Sequence, residues 1–380
     1  MRAPGLYRAL VRALPYTAGP LQAHAQGIGE EKKQRYASIL RRHRALGGAL
    51  ILFGASGVTD HFTYGAARRG VPVAAGTAFR LASVSKLVTA AGVMAMAQKG
   101  IVDLNADADA FLPYSLRHPG APDRPVTLRM LLTHTAGIRD GSAYTNSIAS
   151  PRDAGELLRG DSNTAHIPGE KCEYSNFGVG LAGCVLEGMT GTAFEPLMQE
   201  HLFRPLGIRA GYYPHRVSAP LADARRVLKP LGNPAFDAAA RQAAAPAGWD
   251  EPDLQRHYLL AHGNCCMDAQ GLARLGAALL TPGFFAEETL EAMFAPHASL
   301  AHRDPALTQG VGVFILRDAS VGPRALHGHQ GMAYGAVHML FLDREQGRGI
   351  VSLTTGVSLA RRHIMADVNV ELLREWQRDG

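Results

Sequence analysis

Phe79-Arg80-Leu81-Ala82-Ser83-Val84-Ser85-Lys86-Leu87-Val88 is the stretch on which the reading of this chain turns. It carries an S-x-x-K pattern at the start of an apolar helical run that continues through Ala91, Met94 and Ala95 and stops at Gly100. One helical turn takes 3.6 residues, so Ser83 and Lys86 fall on one face. A serine hydroxyl is a weak nucleophile until a neighbouring base removes its proton. An amine can be that base only when burial or a nearby cation lowers its pKa. A helix N-terminus adds a field that favours developing negative charge. Six lysines and 15 serines in 380 residues would produce ~0.24 such spacings by chance, so the spacing alone decides little. The bland alternative is a capping serine and a surface lysine. Against it, most residues around Lys86 are apolar or small, and a lysine inside such a helix needs a reason.

Working outward, residues Glu30 to Arg44 read as a charged helix with Tyr36, Ile39 and Leu40 on one side, closed by Gly47-Gly48. Ala49 to Phe53 is an apolar run of strand length. Gly54 to Gly57 supplies a turn, and Val58 to Tyr64 alternates with Val58, Phe62 and Tyr64 on one face. Val311 to Leu316, Val337 to Leu342 and Ile350 to Thr355 are strand-like, joined by turn-rich segments at 318–323 and 343–349. Ile364, Met365, Val368, Leu372 and Trp376 form a final helical stripe. From Leu87 to about Leu300 helical periodicity dominates, as in Leu272, Leu275 and Leu279 after Asp268. Strands segregated from helices predict an α+β fold: an antiparallel sheet built from both chain ends, flanked by the N- and C-terminal helices, with a mostly helical inserted domain. The expected divisions are a tail or leader over 1–29, a sheet domain over 30–86 and 301–380, and the insertion over 87–300.

Composition narrows the function. Hydrophobic residues are 47% and charged residues 19%, enough for a sizeable core and against a disordered chain. The net charge of +6 is scattered, without five consecutive basic residues, so no nucleic-acid partner is expected. No run of 18 apolar residues predicts a membrane span. Arg8 and Arg12 interrupt any secretory h-region ahead of Ala23-His24-Ala25, which leaves localisation open. Cys172, Cys184, Cys265 and Cys266 are too few and too clustered for a disulfide scaffold; a Cys172–Cys184 bridge stays open. His327 and His329 have a spacing that suits a metal on a strand, but no acidic or cysteine partner stands near, so no metal is expected.

Two further segments carry chemistry. Pro168-Gly169-Glu170-Lys171-Cys172-Glu173-Tyr174-Ser175-Asn176 precedes an apolar run. The Tyr174 phenol can relay a proton, and the Asn176 amide can hold a substrate carbonyl. Tyr144-Thr145-Asn146 has the same spacing but reads as a polar loop, so Tyr174 is preferred. His327-Gly328-His329-Gln330-Gly331-Met332 leads into the strand at Val337. There His329 can donate to a substrate carboxylate or carbonyl, and Gly331 allows a ligand close to the backbone. A G-x-S-x-G nucleophile elbow is absent.

Together Ser83-Val84-Ser85-Lys86, Tyr174-Ser175-Asn176 and His329-Gln330-Gly331, separated by 91 and 155 residues, resemble the penicillin-recognising serine enzymes, the class C β-lactamases and DD-peptidases. Val126 to Gly137, with Thr133-His134-Thr135, is similar to a signature of that group, as is Pro168-Gly169. The resemblance covers residues 45 to 358. It implies a serine hydrolase that passes through an acyl-enzyme on an amide or ester, without metal or cofactor, acting on a small molecule or peptide. Ser83 would be acylated, Lys86 and Tyr174 would share proton transfer, and Asn176 would position the substrate. His329 and Gly331 would flank it on a sheet edge, with the backbone N–H groups of Ser83 and Met332 as the oxyanion hole. His134 is expected to be structural. The class C enzymes carry lysine where this chain has His329. That departure favours a D-alanyl carboxypeptidase, amidase or esterase over a β-lactamase, since histidine is mostly uncharged at neutral pH. The alternative in another class is a non-catalytic binding protein on the same scaffold.

Overall fold

In a computed structural model the described residues are 27–68, 71–147, 152–214, 217, 221–222, 248, 250–333, 335–361 and 363–378. Most of the expected tail lies outside them, as does the stretch 228–234, which its proline and glycine residues mark in the sequence as a connector. Helix α1 is Glu30–Arg42, followed by strands β1 (Gly47–Gly54), β2 (Gly57–Arg68), β3 (Val71–Pro72) and β4 (Ala78–Arg80). Helices α2 (Val84–Ala97) and α3 (Asn176–Thr190) come next. Strand β5 (Ala210–Gly211) and strand β6 (Cys266–Asp268) precede α4 (Ala269–Leu280). Strands β7 (Ala298–Ser299), β8 (Leu307–Gln309), β9 (Phe314–Leu316), β10 (Leu326–Ala333), β11 (Ala336–Asp343) and β12 (Arg348–Thr355) lead to helix α5 (Asp367–Arg378).

Nine strands make one sheet in the order β3-β2-β1-β12-β11-β10-β9-β8-β7, with antiparallel pairing throughout. Strand β1 pairs with β12, so segments from the two ends of the chain lie side by side within it, in the α+β arrangement expected. The apolar run of β1 is continuous because both faces are covered. Leu50 and Leu52 face a core with Tyr36, Ile39 and Leu40 of α1 and Val368, Leu372 and Trp376 of α5. Ala49, Ile51 and Phe53 face a second core shared with α2, α3 and α4. Asp268 caps α4 by accepting from Gly271 N–H at 2.7 Å.

Two strand expectations need correction. Phe62 and Tyr64 are buried, but Val58 is 47% exposed. The register shifts so that Leu52 faces Asp60 and Phe53 faces Val58. The extra residue, Thr59, is a bulge that moves Val58 to the opposite face. The predicted strand from Val311 begins only at Phe314, because Gly312 takes φ +67° and its N–H bonds to Leu132 in another element. The middle of the chain is not purely helical either: β4, β6 and β5 form a second small sheet.

The charged helix α1 is tied to α5 by ion pairs. Arg35 pairs with Glu375 and Arg42 with Glu371 of α5, at 2.5 and 2.8 Å. All four cysteines are buried and unbridged, which rules out the Cys172–Cys184 bridge. Among the described residues no single helix is long and apolar enough to cross a membrane.

Candidate active site

Strand β4 delivers the chain to Ser83. Its pairing with β6 and the bond from Leu81 N–H to Cys265 carbonyl, 2.8 Å, anchor the approach. Ala82 then takes a left-handed φ of 49°, a conformation that costs a residue with a Cβ about 1–2 kcal/mol. Ser83 sits at the N-cap of α2, yet its hydroxyl makes no capping bond. Instead it lies 3.1 Å from Lys86 Nζ.

Lys86 is fully buried. Its Nζ has two partners that can only accept: Asn176 Oδ1 at 2.7 Å and the His262 carbonyl at 2.9 Å. Its third neighbour, the Ser83 hydroxyl, can also donate. Three acceptors satisfy the three N–H groups of the ammonium, and the neutral amine fits the same set with its lone pair toward the Ser83 hydroxyl. Burial pushes Lys86 down to about 7, although the Asp140 carboxylate pulls the other way. The segment that offers the His262 carbonyl is tied to α2 by Ser85 and Thr89. Ser85 Oγ accepts from Cys265 N–H at 3.1 Å, and Thr89 Oγ1 donates to the Ala261 carbonyl at 2.7 Å.

Asn176 opens α3. Its Nδ2 donates to Asp140 at 2.7 Å, so its oxygen must face Lys86. The same carboxylate accepts from Ser175 Oγ and Phe177 N–H, at 3.1 and 2.9 Å. Tyr174 lies just ahead, and Lys86 Nζ is 5.0 Å from its ring centroid. The phenol also interacts with the Ser83 side chain, and burial, the larger effect, raises its pKa, so it is a neutral hydroxyl at pH 7. The His134 ring lies 4.4 Å from that of Tyr174, and its Nδ1 accepts from Ser175 N–H at 3.1 Å. His134 thus braces the tyrosine.

The third motif occupies β10. Strand β9 pairs only with Leu326 to Gly328 of β10, so the stretch from His329 onward is an edge on that side although the strand is interior to the sheet. His329 stacks on Phe314 with centroids 4.2 Å apart. Its Nδ1 lies 2.6 Å from the Gln330 carbonyl, and its Nε2 is buried without a partner. Nδ1 therefore carries the proton, and burial pushes the ring down to about 3. A neutral ring in this tautomer leaves Nε2 an acceptor, whereas the sequence suggests that His329 donates to a substrate carboxylate or carbonyl. Gly331 also differs from expectation. A Cβ there would stand 2.2 Å from the Leu81 carbonyl and 3.0 Å from Ser83 N. What approaches Gly331 closely is the Ser83 turn itself.

Ser83, Tyr174, Asn176, His329 and Met332 line one cleft of about 210 Å³. Gly331 lies behind it. A larger groove of about 980 Å³ is lined by Arg361, His363 and Met365 among others, but its hydroxyl, Ser320, is held by Arg374. Tyr144, the rival tyrosine, is in a short helix rather than a loop. It is buried against Phe177 and its hydroxyl lies 3.2 Å from His262 Nε2. Asp140, Ser85, Arg303, Phe314 and Arg361 are site residues that the sequence reading missed. Asp140 lies three residues past the Thr133–Gly137 signature, which could have drawn attention to it; the others carry no local signal.

The chain is similar to known proteins in sequence and in fold. Penicillin-binding protein 4* of Bacillus subtilis (strain 168) is 28% identical over 181 residues, 46% of this chain and 39% of that protein. The chain therefore spans about two fifths of that relative's length. Among solved structures, EstCE1, described as a hydrolase with promiscuous acyltransferase activity, superposes with a TM-score of 0.72 at 21% identity, covering 92% of this chain and 99% of that one. The D-amino acid amidase of Ochrobactrum anthropi SV3, complexed with L-phenylalanine amide, gives 0.70 at 21% identity over 92% and 98%. The Beta-lactamase family model matches residues 30–374, nearly the whole chain, and the chain belongs to that family.

Proposed function

We propose that this protein is a serine hydrolase that cleaves an amide or ester through an acyl-enzyme on Ser83, of the D-alanyl carboxypeptidase or esterase kind. The observation that carries this is the position of Lys86: buried, held by two acceptors and 3.1 Å from Ser83 Oγ, it has in its neutral form a lone pair for the Ser83 proton. In the first step Ser83 Oγ attacks the carbonyl carbon while Lys86 takes the hydroxyl proton. The backbone N–H groups of Ser83 and Met332 receive the oxyanion, a kind of contact worth about 10²–10³ in rate per donor. The bond to the leaving group then breaks. Tyr174, beside Ser83, gives its proton to the leaving atom and is reprotonated from Lys86. Water repeats the sequence on the acyl-Ser83 ester and frees the acid. Asn176 holds Lys86 and presents the rest of its amide to the cleft.

The relatives support the reaction class by name, as penicillin-binding protein, amidase and hydrolase. The uncharged His329 supports the peptidase, amidase and esterase branches over the β-lactamase one. A fluorophosphonate probe is expected to label Ser83, seen as a mass shift on its peptide. A panel of p-nitrophenyl esters, D-alanyl peptides and a chromogenic β-lactam is expected to show turnover that Ser83→Ala abolishes. An unlabelled Ser83, with wild type and Ser83→Ala equal in ester hydrolysis, would overturn the proposal.

A further inference from the structure

Tyr144, the tyrosine of the rival motif, has a buried hydroxyl that the mechanism above does not use. It belongs to the short helix Ser142–Ser147 and lies 3.2 Å from His262 Nε2. His262 is the residue whose carbonyl receives Lys86 Nζ at 2.9 Å. Its ring is buried too, and Nδ1 lies 3.2 Å from the Tyr258 carbonyl, which can only accept, so Nδ1 carries a proton. In the neutral ring Nε2 then accepts, and the Tyr144 hydroxyl is its donor. Burial, helped by the nearby Lys86, pushes the ring down to about 3. Tyr258 is fixed in turn: its hydroxyl lies 3.1 Å from Ser147 Oγ and donates to the Arg152 carbonyl at 3.0 Å. Phe177, the residue after Asn176, packs against both tyrosines, with ring centroids 5.0 and 5.3 Å away. The helix Ser142–Ser147 therefore grips the 258–262 segment at two points.

We infer that Tyr144 and the His262 ring are positioning residues for the general base: the Tyr144 hydroxyl holds the ring, and the ring holds the carbonyl that aims Lys86 at Ser83. A backbone carbonyl points where its own φ and ψ put it, and a side chain bonded at both nitrogens pins that residue. Thr89 and Ser85 anchor the neighbours, Ala261 and Cys265; at His262 itself the ring is the anchor. A loosened carbonyl would leave Lys86 with one fixed acceptor, Asn176 Oδ1. It would also withdraw a dipole that favours the charged amine. Neither Tyr144 nor His262 lines the Ser83 cleft, so the loss belongs in kcat rather than in substrate binding. The effect on rate rests on the acyl-serine reading; the effect on Lys86 does not.

Tyr144→Phe and His262→Leu are each expected to lower kcat for p-nitrophenyl ester hydrolysis by about 3–10-fold, the size of one hydrogen bond, with KM changed by less than about twofold. Both should move the titration of Lys86 to lower pH. NMR of protein carrying carbon-13 at lysine Cε reads that titration with or without turnover, the Lys86 signal being the one missing from Lys86→Met. The double variant should be no worse than the poorer single one, because both changes remove one bond. Losses that multiply in the double variant, an unchanged kcat in Tyr144→Phe, or an unmoved Lys86 titration each overturn the inference while leaving Ser83 chemistry standing. If Ser83 takes no label and no ester is turned over, the acyl-serine reading fails separately. The Lys86 titration then decides alone: a shift in Tyr144→Phe supports the inference, and an unmoved midpoint overturns it. If Tyr144→Phe does not fold, His262→Leu is compared with His262→Gln, whose amide oxygen can still accept from Tyr144. Leu should shift Lys86 and Gln should keep it near wild type; equal shifts, or none, overturn the inference.

Discussion

The carboxylate of Asp140 accepts a hydrogen bond from Asn176 Nδ2 at 2.7 Å, and this bond decides which end of the amide faces the buried lysine. A carboxylate cannot donate, so the amide nitrogen turns to it and the amide oxygen to Lys86. The orientation of the base is thus set one residue further out than the base itself.

Replacing Asp140 by Asn removes that selection and also a negative charge that raises the Lys86 pKa. Asp140→Asn is expected to lower kcat by about 10–100-fold, the equivalent of one charge-assisted hydrogen bond. It should also move the acidic limb of the pH–rate profile to lower pH. A profile that keeps its midpoint would show that Asp140 does not act on Lys86.

The pH dependence of wild type follows from the same lysine. Only neutral Lys86 can take the Ser83 proton, and burial pushes it down to about 7. kcat/KM is therefore expected to rise through about pH 7. Burial raises Tyr174 and holds His329 uncharged, so neither should add an inflection between pH 6 and about 10. Ester hydrolysis from pH 5 to 10 measures this; a plateau extending down to pH 5 would remove Lys86 as the base.

Stability should report the same group. Lys86 binds a proton in the unfolded chain up to about 10.4 but loses it near 7 when folded. Between those values the unfolded state holds more protons, so this lysine makes stability rise with pH, by roughly 4–5 kcal/mol across the window at most. Urea unfolding of wild type and Lys86→Met at pH 7, 8.5 and 10 isolates the contribution. Wild type should gain on the variant as pH rises, and parallel curves would contradict the burial argument.

Gly331→Ala tests the contact between the sheet and the nucleophile turn. The new Cβ would meet the Leu81 carbonyl at 2.2 Å, backbone against backbone, where neither side can swing away. A loss of about 1–3 kcal/mol is expected. The rate of fluorophosphonate labelling should fall even where the variant is fully folded, since Ser83 N–H moves with the turn. Labelling at the wild-type rate would show that the turn tolerates displacement.

Much of the fold was legible in the sequence because its strands are covered on both faces, which leaves continuous apolar runs at Ala49 to Phe53 and Val337 to Leu342. The helix after Ser83 was legible for a related reason: a helix buried all round is apolar all round. What escaped was whatever depends on one extra residue or one special dihedral. The bulge at Thr59 and the turn at Gly312 have no periodic signature.

The sequence by itself determined that Ser83 and Lys86 share a helical face, because that follows from local geometry alone. It also determined the order of the three motifs along the chain. Only the tertiary structure decided that burial pushes Lys86 down to about 7, that His329 Nδ1 faces a carbonyl, and that two arginines from distant loops face the same cleft. The physical reason is that protonation and field depend on burial and on partners remote in sequence. Asn176 and His262 reach Lys86 across 90 and 176 residues, a distance over which no local pattern carries information.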